Sequence, residues 1–543
     1  MSTMRNNSSV CLYLSHDCSI AWNINDEIKC IQFEKVTGER YQSSRTIPNE
    51  VMVNVLNYIK QDLLNHDINN IQNFIIHPWL KFRPLKVPQT DYYKVNQLQL
   101  VWNILNPNAL IKSRMHHRSH ACTGFYTSPF DEALVISFDG GGDEETFTTW
   151  HGCRSKGLTQ LNSINCNLGR AYIECSVSCK ELNYSSSWTD LSLYDKLSSS
   201  GKAMGLVASG KLDDSIFNWL KDIEQFKKQQ IFHKLKTIPD FESADLMYTA
   251  QHILEHKFIL HCKDVLDEYK HLPVVITGGC ALNVINNEKV KSLIHPREVF
   301  VPSCPGDEGL SIGCVLDVIR PGKQVTIHNR GPHIEDKAFA NSVLTSPTNT
   351  FKKFDCWFNF ETTTFTNVSK LLNEGNIIGL VQGPSEIGPR ALGYRSILCD
   401  PSYPNMKDKV NKIKHRESFR PFAPVCRLQD ASKYFDSVSF KHMEYMGFAV
   451  KALPSSHQTI PAVIHGDGTA RLQTVTEDSN QYLYDLLTTY EQVTGKHVLM
   501  NTSFNVRGKA ILNTLREALY VLSTSKLDFV LYENVLIKRH TEL

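Results

Sequence analysis

The sequence predicts a duplicated α/β fold with a ligand cleft between its halves, followed by a second α/β domain. Three observations carry this. The chain opens on a run of strand, tight turn and strand, a phrase of the same architecture returns at residue 132, and 543 residues exceed what one ordinary core holds. The first run is "VCLYLS", "CSIAWNI" and "IKCIQFE", β-formers separated by turn residues, which predicts a three-strand meander. The second is "EALVISFDGGGDEETFTTWHG", an apolar strand that enters Asp139-Gly140-Gly141-Gly142-Asp143 before another β-rich run. Two meanders, each opening on an Asp-bearing turn, indicate duplication around a nucleotide or phosphate cleft.

Between and after them, "NEVMVNVLNYIKQDLL" and "ADLMYTAQHILEHKFILHCKDVL" place apolar residues at helical spacing. "LPVVITGGCALN" reads as a strand broken by Gly278-Gly279 with helix resuming near Ala281, a turn able to admit a phosphate at the helix N-terminus but more often a packing turn. Residues 320–351 mix Pro, Gly, Asn and Ser with little apolar continuity, so a boundary is placed near 345, giving domains 1–345 and 346–543.

Hydrophobic content of 41% with 21% charged residues excludes a disordered or collagen-like chain. A net charge of +2 gives no global pull toward nucleic acid or an anionic membrane. The N-terminus has no sustained apolar run and no window approaches the ~18 apolar residues of a membrane span, so a cytoplasmic protein without membrane partner is expected. Fifteen cysteines without a CxxC pair fit reduced thiols, Cys175 and Cys179 serving in packing.

"MHHRSH", residues 115–120, places three imidazoles within five residues. In a helix, His116 and His120 share a face and His117 points elsewhere. That pair suits a divalent metal, and it equally suits the lining of a polar cleft or a helix cap. A zincin protease requires Glu at the second position, where this chain has His117. The best third ligand is Asp307 in "VPSCPGDEGLSIG", which is also placed to be an N-cap. Two His and one Asp leave positions open for a ligand oxygen, the arrangement that favours Fe(II), with Zn or Mn as substitutes.

A second cluster is "GPSEIGPRALGYRSILCDP" with "MKDKVNKIKHRESFRPFAP". Met406, Val410 and Ile413 form an apolar stripe, leaving Lys407, Lys409, Lys412 and Lys414 on the remaining surface. Arg390, Arg395, Arg416 and Arg420, in loops stiffened by Gly and Pro, match a planar or phosphorylated anion. A third, Asn501-Thr502-Ser503-Phe504-Asn505, ends an apolar strand, where α/β domains place ligands, although its composition is that of an ordinary turn.

With these residues in view, the chain resembles the carbamoyltransferase family of nodulation-factor, aminoglycoside and cephem O-carbamoyltransferases nearly end to end. "SHDCSIAW" resembles its GHDxS opening, MHHRSH its HHxxH, "GKAMGL" its GKxMGL, and "GGCALN" and "PGDEG" its later glycine and aspartate motifs. "GPRALGYRSIL", "IKHRESFRPFAP" and "NTSFNVRG" resemble its C-terminal signatures. The resemblance implies an N-terminal actin-like (ASKHA) domain, similar to the tRNA threonylcarbamoyltransferases, and a C-terminal YrdC-like domain. It implies a two-stage reaction: carbamoyl phosphate and ATP, the latter with Mg, form carbamoyl-adenylate, and the carbamoyl group then passes to an acceptor hydroxyl.

Carried over by position, His116, His120 and Asp307 hold the metal, and His16 is the general base with Asp17 orienting it. Asp139, Gly140, Gly141, Lys202, Gly205, Gly278, Gly279 and Asn283 line the adenylate cleft. Arg390, Lys414, Arg416, Arg420, Asn501 and Ser503 cradle carbamoyl phosphate and the ATP phosphates. The chain departs from the family where Ser15 replaces Gly, where Tyr394 replaces Asn, and where the acidic run after the third strand is reduced to Glu34 and Glu39. These changes lie where the acceptor or the nucleotide would be read. The acceptor expected is a small molecule, a sugar, or a hydroxymethyl-pyrimidine of a nucleotide or DNA, and a homodimer is compatible with the reading. The basic and aromatic stretch at 77–97 would suit a nucleic-acid strand but is more simply an exposed loop. The rivals are an ATPase or kinase of the actin-like superfamily with a regulatory second domain, and a binding protein that has lost turnover.

Overall fold

The computed structural model describes residues 8–43, 46–69, 71–77, 100–112, 115–142, 145–185, 187–226, 229–235, 241–331, 350–354 and 356–540. The expected 345/346 boundary, Asp143 and positions 78–97 of the basic aromatic stretch lie outside the described residues. The fold is mixed α/β with several sheets.

The first sheet contains β1 (Ser9–Tyr13), β2 (Ser19–Ile24), β3 (Glu27–Gln32), β4 (Asn73–His77) and β5 (Leu110–Lys112), in the order β3-β2-β1-β4-β5. The second contains β6 (Glu132–Phe138), β7 (Phe147–Cys153), β8 (Gly157–Ile164), β9 (Val274–Thr277) and β10 (Val299–Phe300), in the order β8-β7-β6-β9-β10. In both, the meander pairs antiparallel and the last two strands join parallel to the first. The expected duplication is therefore a repeat of topology.

Side-chain alternation explains the layering. Val10 and Leu12 of β1 face out, in one core with Met52, Leu56 and Ile59 of the Asn49–Leu64 helix, while Cys11 faces in. In β6, Leu134, Ile136 and Phe138 share a core with Ala250, Leu254 and Phe258 of the Ser243–Glu268 helix, while Ala133 and Val135 face in. The helices His116–Thr127 and Leu310–Ile319 fill the layer between the sheets, the first against β6 and β9, the second against β1 and β2. They touch each other closely because Gly313 has no side chain: a Cβ there would lie 1.9 Å from the Ser119 carbonyl oxygen.

The C-terminal part carries a nine-stranded mixed sheet. Its central strands are Phe529–Tyr532, Ile378–Val381, Arg395–Cys399, Leu499–Ser503 and Ala423–Arg427. A three-stranded sheet (Phe435–Asp436, Ala449–Ala452, Thr469–Arg471) lies beside it. One hydrophobic core continues from β6, β9 and β10 into Phe448, Val450 and Met500, so the two parts pack through apolar contact. The fifteen cysteines are free thiols, as expected. Among the described residues no helix is long and apolar enough to cross a membrane.

The glycine turn after β9 is demanding. Gly278 has φ 90°, and a Cβ there would lie 2.2 Å from the Phe138 carbonyl oxygen at the end of β6. Gly278→Ala is expected to destabilise the protein by roughly 2 kcal/mol and to lower the thermal midpoint measured by calorimetry. Gly322→Ala, where a Cβ meets nothing within 4 Å, is expected to leave that midpoint unchanged.

Candidate active site

The residues that follow the first strand of each half, His16 and Asp17 in one and Asp139 in the other, lie beside the starts of the inner helices. The β1–β2 turn presents His16 and Asp17, the latter at φ 57°. The end of β6 presents Asp139, the first turn of one inner helix presents His116 and His120, and the short turn before the other presents Asp307. His116 Nε2 and His120 Nε2 stand 3.1 Å apart, and lie 3.5 and 3.4 Å from Asp307 Oδ1. Asp139 Oδ2 is 3.5 Å from His120 Nε2, and one ligand atom from each of the four residues falls within 4.8 Å of all the others. Asp139, expected in the nucleotide cleft, thus joins the cluster.

Asp307 is no helix cap, since neither its own short turn nor the following helix takes a side-chain cap from it. Its Oδ2 accepts from the Tyr13 hydroxyl at 2.6 Å and lies 3.6 Å from His16 Nε2, while Oδ1 is turned to the imidazoles of His116 and His120. Burial would raise the Asp307 pKa, but the imidazoles of His116, His120 and His16 outweigh it and hold the carboxyl well below the usual range. Burial pushes His116 down. At His120 burial acts the same way, but the Asp307 contact and Asp139 reverse it and its pKa is raised. His16 is raised to about 9: burial lowers it, and the hydrogen bond from Nδ1 to Asp17 Oδ2 at 2.9 Å, with the charges of Asp307 and Asp139, overrides that. His117 points away, as expected, to Ser137 Oγ at 2.8 Å. Two imidazole nitrogens and two carboxylates converging in a buried site are a donor set that fits a divalent cation.

From this cluster a cavity of about 580 Å³ extends to the C-terminal part. His16, Asp17, Gly140, Gly141, Gly205, Gly279 and Asn283 line it. Gly278 and Lys202 stand behind the wall. Lys202 Nζ donates to Tyr184 Oη at 2.7 Å and lies over the Tyr184 and Tyr194 rings, and burial lowers its pKa to about 8. Asn283 itself caps the following helix by accepting from Asn286 N at 3.1 Å, so one of the free amides of that helix end is already taken.

The far end of the cavity is basic. Arg390, Lys414, Arg416, Arg420, Asn501 and Ser503 line it together, joined by Arg40 and Arg471. Lys414 does not lie on the helix surface as its spacing predicted: it follows the last helical turn, where Val410 and Ile413 also turn inward, and is 2% exposed, bonded to Ser503 and Asn505. Burial, then repulsion from Arg40 and Arg420, brings Arg390 down to about 10. Burial and their arginine neighbours likewise push Lys414, Arg416 and Arg471 well below their ordinary values. Arg471 Nε and Asn501 Oδ1 are buried without a hydrogen-bond partner. Partly desolvated like charges with an unused donor, Arg471 Nε, call for an anion.

Two expectations are corrected. Arg395 is fully buried and donates to the Asn513, Gln382 and Tyr394 carbonyls, because it sits within a central strand rather than in the loop. Tyr394 and Ser15 are not on the cavity wall, and the exposed Glu39 pairs with Lys509 at 2.6 Å, leaving Glu34 as the acidic residue of that run that lines the cavity. Arg40 in "GERYQ" and Arg471 in "GTARLQ" escaped sequence reading because each is a single arginine without local pattern.

Comparison with known proteins decides the family. Residues 93–316 match the model described as carbamoyltransferase N-terminus, and residues 369–539 match carbamoyltransferase C-terminus. The chain belongs to the carbamoyltransferase family. It is a transferase. Nodulation protein NolNO of Sinorhizobium fredii is 30% identical over 457 residues, 78% of this chain and 64% of that protein. The 3'-hydroxymethylcephem-O-carbamoyltransferase of Amycolatopsis lactamdurans is 31% identical over 346 residues, 62% of this chain and 64% of that protein. An uncharacterized protein of Methanocaldococcus jannaschii is 28% identical over 96% of this chain and 98% of its own length.

The basic end generates a prediction independent of turnover. Inorganic pyrophosphate is expected to raise the thermal midpoint of the transferase, by the equivalent of about 2–3 kcal/mol at a hundredfold excess over its Kd. Arg471→Ala is expected to weaken pyrophosphate binding about tenfold or more in the same thermal-shift titration.

Proposed function

We propose that this transferase is an ATP-dependent O-carbamoyltransferase: water hydrolyses carbamoyl phosphate to carbamate and phosphate, the carbamate oxygen attacks the α-phosphorus of ATP to give carbamoyl-adenylate with release of pyrophosphate, and an acceptor hydroxyl then takes the carbamoyl group as AMP leaves. In this reading the duplicated half is an actin-like carbamoyl-transfer domain and the remainder, from about residue 346, is the YrdC-like adenylate-forming domain. The observation that carries the reading is that one cavity has a cluster of imidazoles and carboxylates at one end and a cluster of half-buried guanidinium groups at the other. The first chemistry brings polyanions together. Arg390, Lys414, Arg416, Arg420 and Arg471 offset their repulsion, and the site is preorganised because Lys414 is already buried and the four arginines are partly desolvated. The product is an acyl-AMP, whose AMP leaving group makes the otherwise inert carbamate electrophilic.

The glycines at 140, 141, 205 and 279 leave room for the adenylate along the wall of the duplicated half. His116, His120, Asp139 and Asp307 would hold a divalent cation, Fe(II) by the mixed nitrogen and oxygen donor set. That cation would act as a Lewis acid toward an oxygen of the intermediate. Two of the carboxylates that keep His16 protonated are cation ligands in this reading, so in the loaded enzyme their charge is balanced. Asp17 is left to orient the ring through Nδ1, and His16 Nε2 is free to take the proton of the acceptor hydroxyl. The cephem relative's name specifies a hydroxymethyl acceptor, which supports a hydroxyl of a small molecule as substrate here. The kinase-like alternative gives the half-buried arginines only the ATP phosphates to bind.

Incubation with labelled carbamoyl phosphate and ATP is expected to release pyrophosphate without acceptor, whereas ADP as the nucleotide product would indicate the kinase-like reading. His120→Ala is expected to abolish retention of the cation, measured by elemental analysis, and transfer to the acceptor, while sparing pyrophosphate release. Arg390→Ala is expected to lower pyrophosphate release by about 10²-fold with cation content intact. Loss of the same half-reaction in both variants would refute the division between sites.

A further inference from the structure

Arg390 sits on a loop that belongs to the C-terminal part by sequence but is held by the duplicated half. Inside the loop, Glu386 is fully buried, and its Oε1 accepts from the amides of Leu392, Tyr394 and Arg395 at 2.9, 3.2 and 3.0 Å, closing the loop on one carboxylate oxygen. The loop's other ties run outward. Gly331 N donates to the Ser385 carbonyl at 3.1 Å, Ile387 N to the His328 carbonyl at 2.9 Å, and Gly388 N to Gln32 Oε1 at 3.1 Å. Lys35, 3% exposed in the short helix Phe33–Thr37 that follows β3, donates from Nζ to the Glu386 carbonyl. Gly388 passes so close that a Cβ would lie 2.1 Å from the Ser303 carbonyl oxygen, four residues before Asp307. The Arg390 guanidinium in turn reaches the Leu282 carbonyl of the duplicated half at 3.5 Å.

A buried ammonium is costly where packing alone is needed, since an aliphatic residue of the same length would fill the space. Burial does push Lys35 down, and the Glu386 and Glu34 carboxylates oppose that. Lys35 is not on the cavity wall, yet Gln32 and Glu34 beside it are.

We infer that Lys35 is a positioning residue for Arg390: its ammonium, bonded to the carbonyl at the root of the Arg390 loop, sets where that guanidinium stands in the shared cavity. This rests on Arg390 as a ligand of carbamoyl phosphate. The strand end that lines the His16 side and the loop that presents the anion ligand thereby move as one body.

The test is steady-state pyrophosphate release by the full chain at varied carbamoyl phosphate and varied ATP. Lys35→Met is expected to raise the KM for carbamoyl phosphate on the order of tenfold, with the KM for ATP and the cation content unchanged, and Lys35→Arg to recover most of the loss. An unchanged carbamoyl phosphate KM in Lys35→Met overturns the inference. So does a parallel rise in both KM values with a lowered thermal midpoint, which is what loss of packing would give. Should Lys35→Met fail to fold, Gln32→Leu, which removes the acceptor of Gly388 N, is expected to show the same selective rise, and equal effects on both substrates overturn the inference. A wild type that releases no pyrophosphate with carbamoyl phosphate overturns the parent reading and this inference with it, and is told apart by the control alone.

Discussion

The close crossing of two buried helices is the constraint on which the candidate site depends. His116–Thr127 and Leu310–Ile319 fill the layer between two sheets of the same topology, and Gly313 lets the backbone of one rest against Ser119 of the other. Their first turns therefore meet, and His116, His120 and Asp307 converge without any of them leaving its own helix or turn. Small inward residues such as Cys11, Ala21 and Ala133 keep the layer thin, while bulkier Leu12, Trp22 and Phe138 face the outer helices. Larger inward side chains would separate the helices and disperse the imidazoles.

The cavity is electrostatically divided. At one end, carboxylates and imidazoles hold Asp307 ionised and His16 raised, an environment that stabilises a cation. At the other, half-buried arginines depress one another and leave the Arg471 Nε donor unused, an environment that stabilises an anion. Neither end is at rest alone, because desolvated charge is stable only with a counterpart. The proposed route, which passes an anionic, phosphate-bearing intermediate from the basic end to the end rich in imidazoles and carboxylates, would use both.

Much of the fold was legible before any coordinates. Both meanders, the helices Asn49–Leu64 and Ser243–Glu268, and the glycine break after β9 form where apolar periodicity and turn residues placed them. That is local information: alternation and 3.6-residue spacing report which side of an element is buried. The pair His116 and His120 was legible for the same reason, since a helix fixes where i and i+4 point. Asp307 was legible as a carboxylate on a rigid turn, although its alternative as a helix cap was refuted only by its contacts.

What local pattern could not reveal was which side chains meet across the halves. Asp139 joins the histidines, Arg40 and Arg471 join the basic end, and Lys35 reaches Glu386 across 351 positions of chain. Lys414 and Arg395 were misplaced for the opposite reason, because a surface stripe and an Arg-bearing turn look alike whether or not the neighbouring part of the protein covers them. The amino-acid order determined the strands, the helices, the duplication and the types of chemistry available. The packing of the two halves decided which of those groups share one desolvated cavity, because burial and charge neighbourhood are properties of three-dimensional contact that no window of sequence contains.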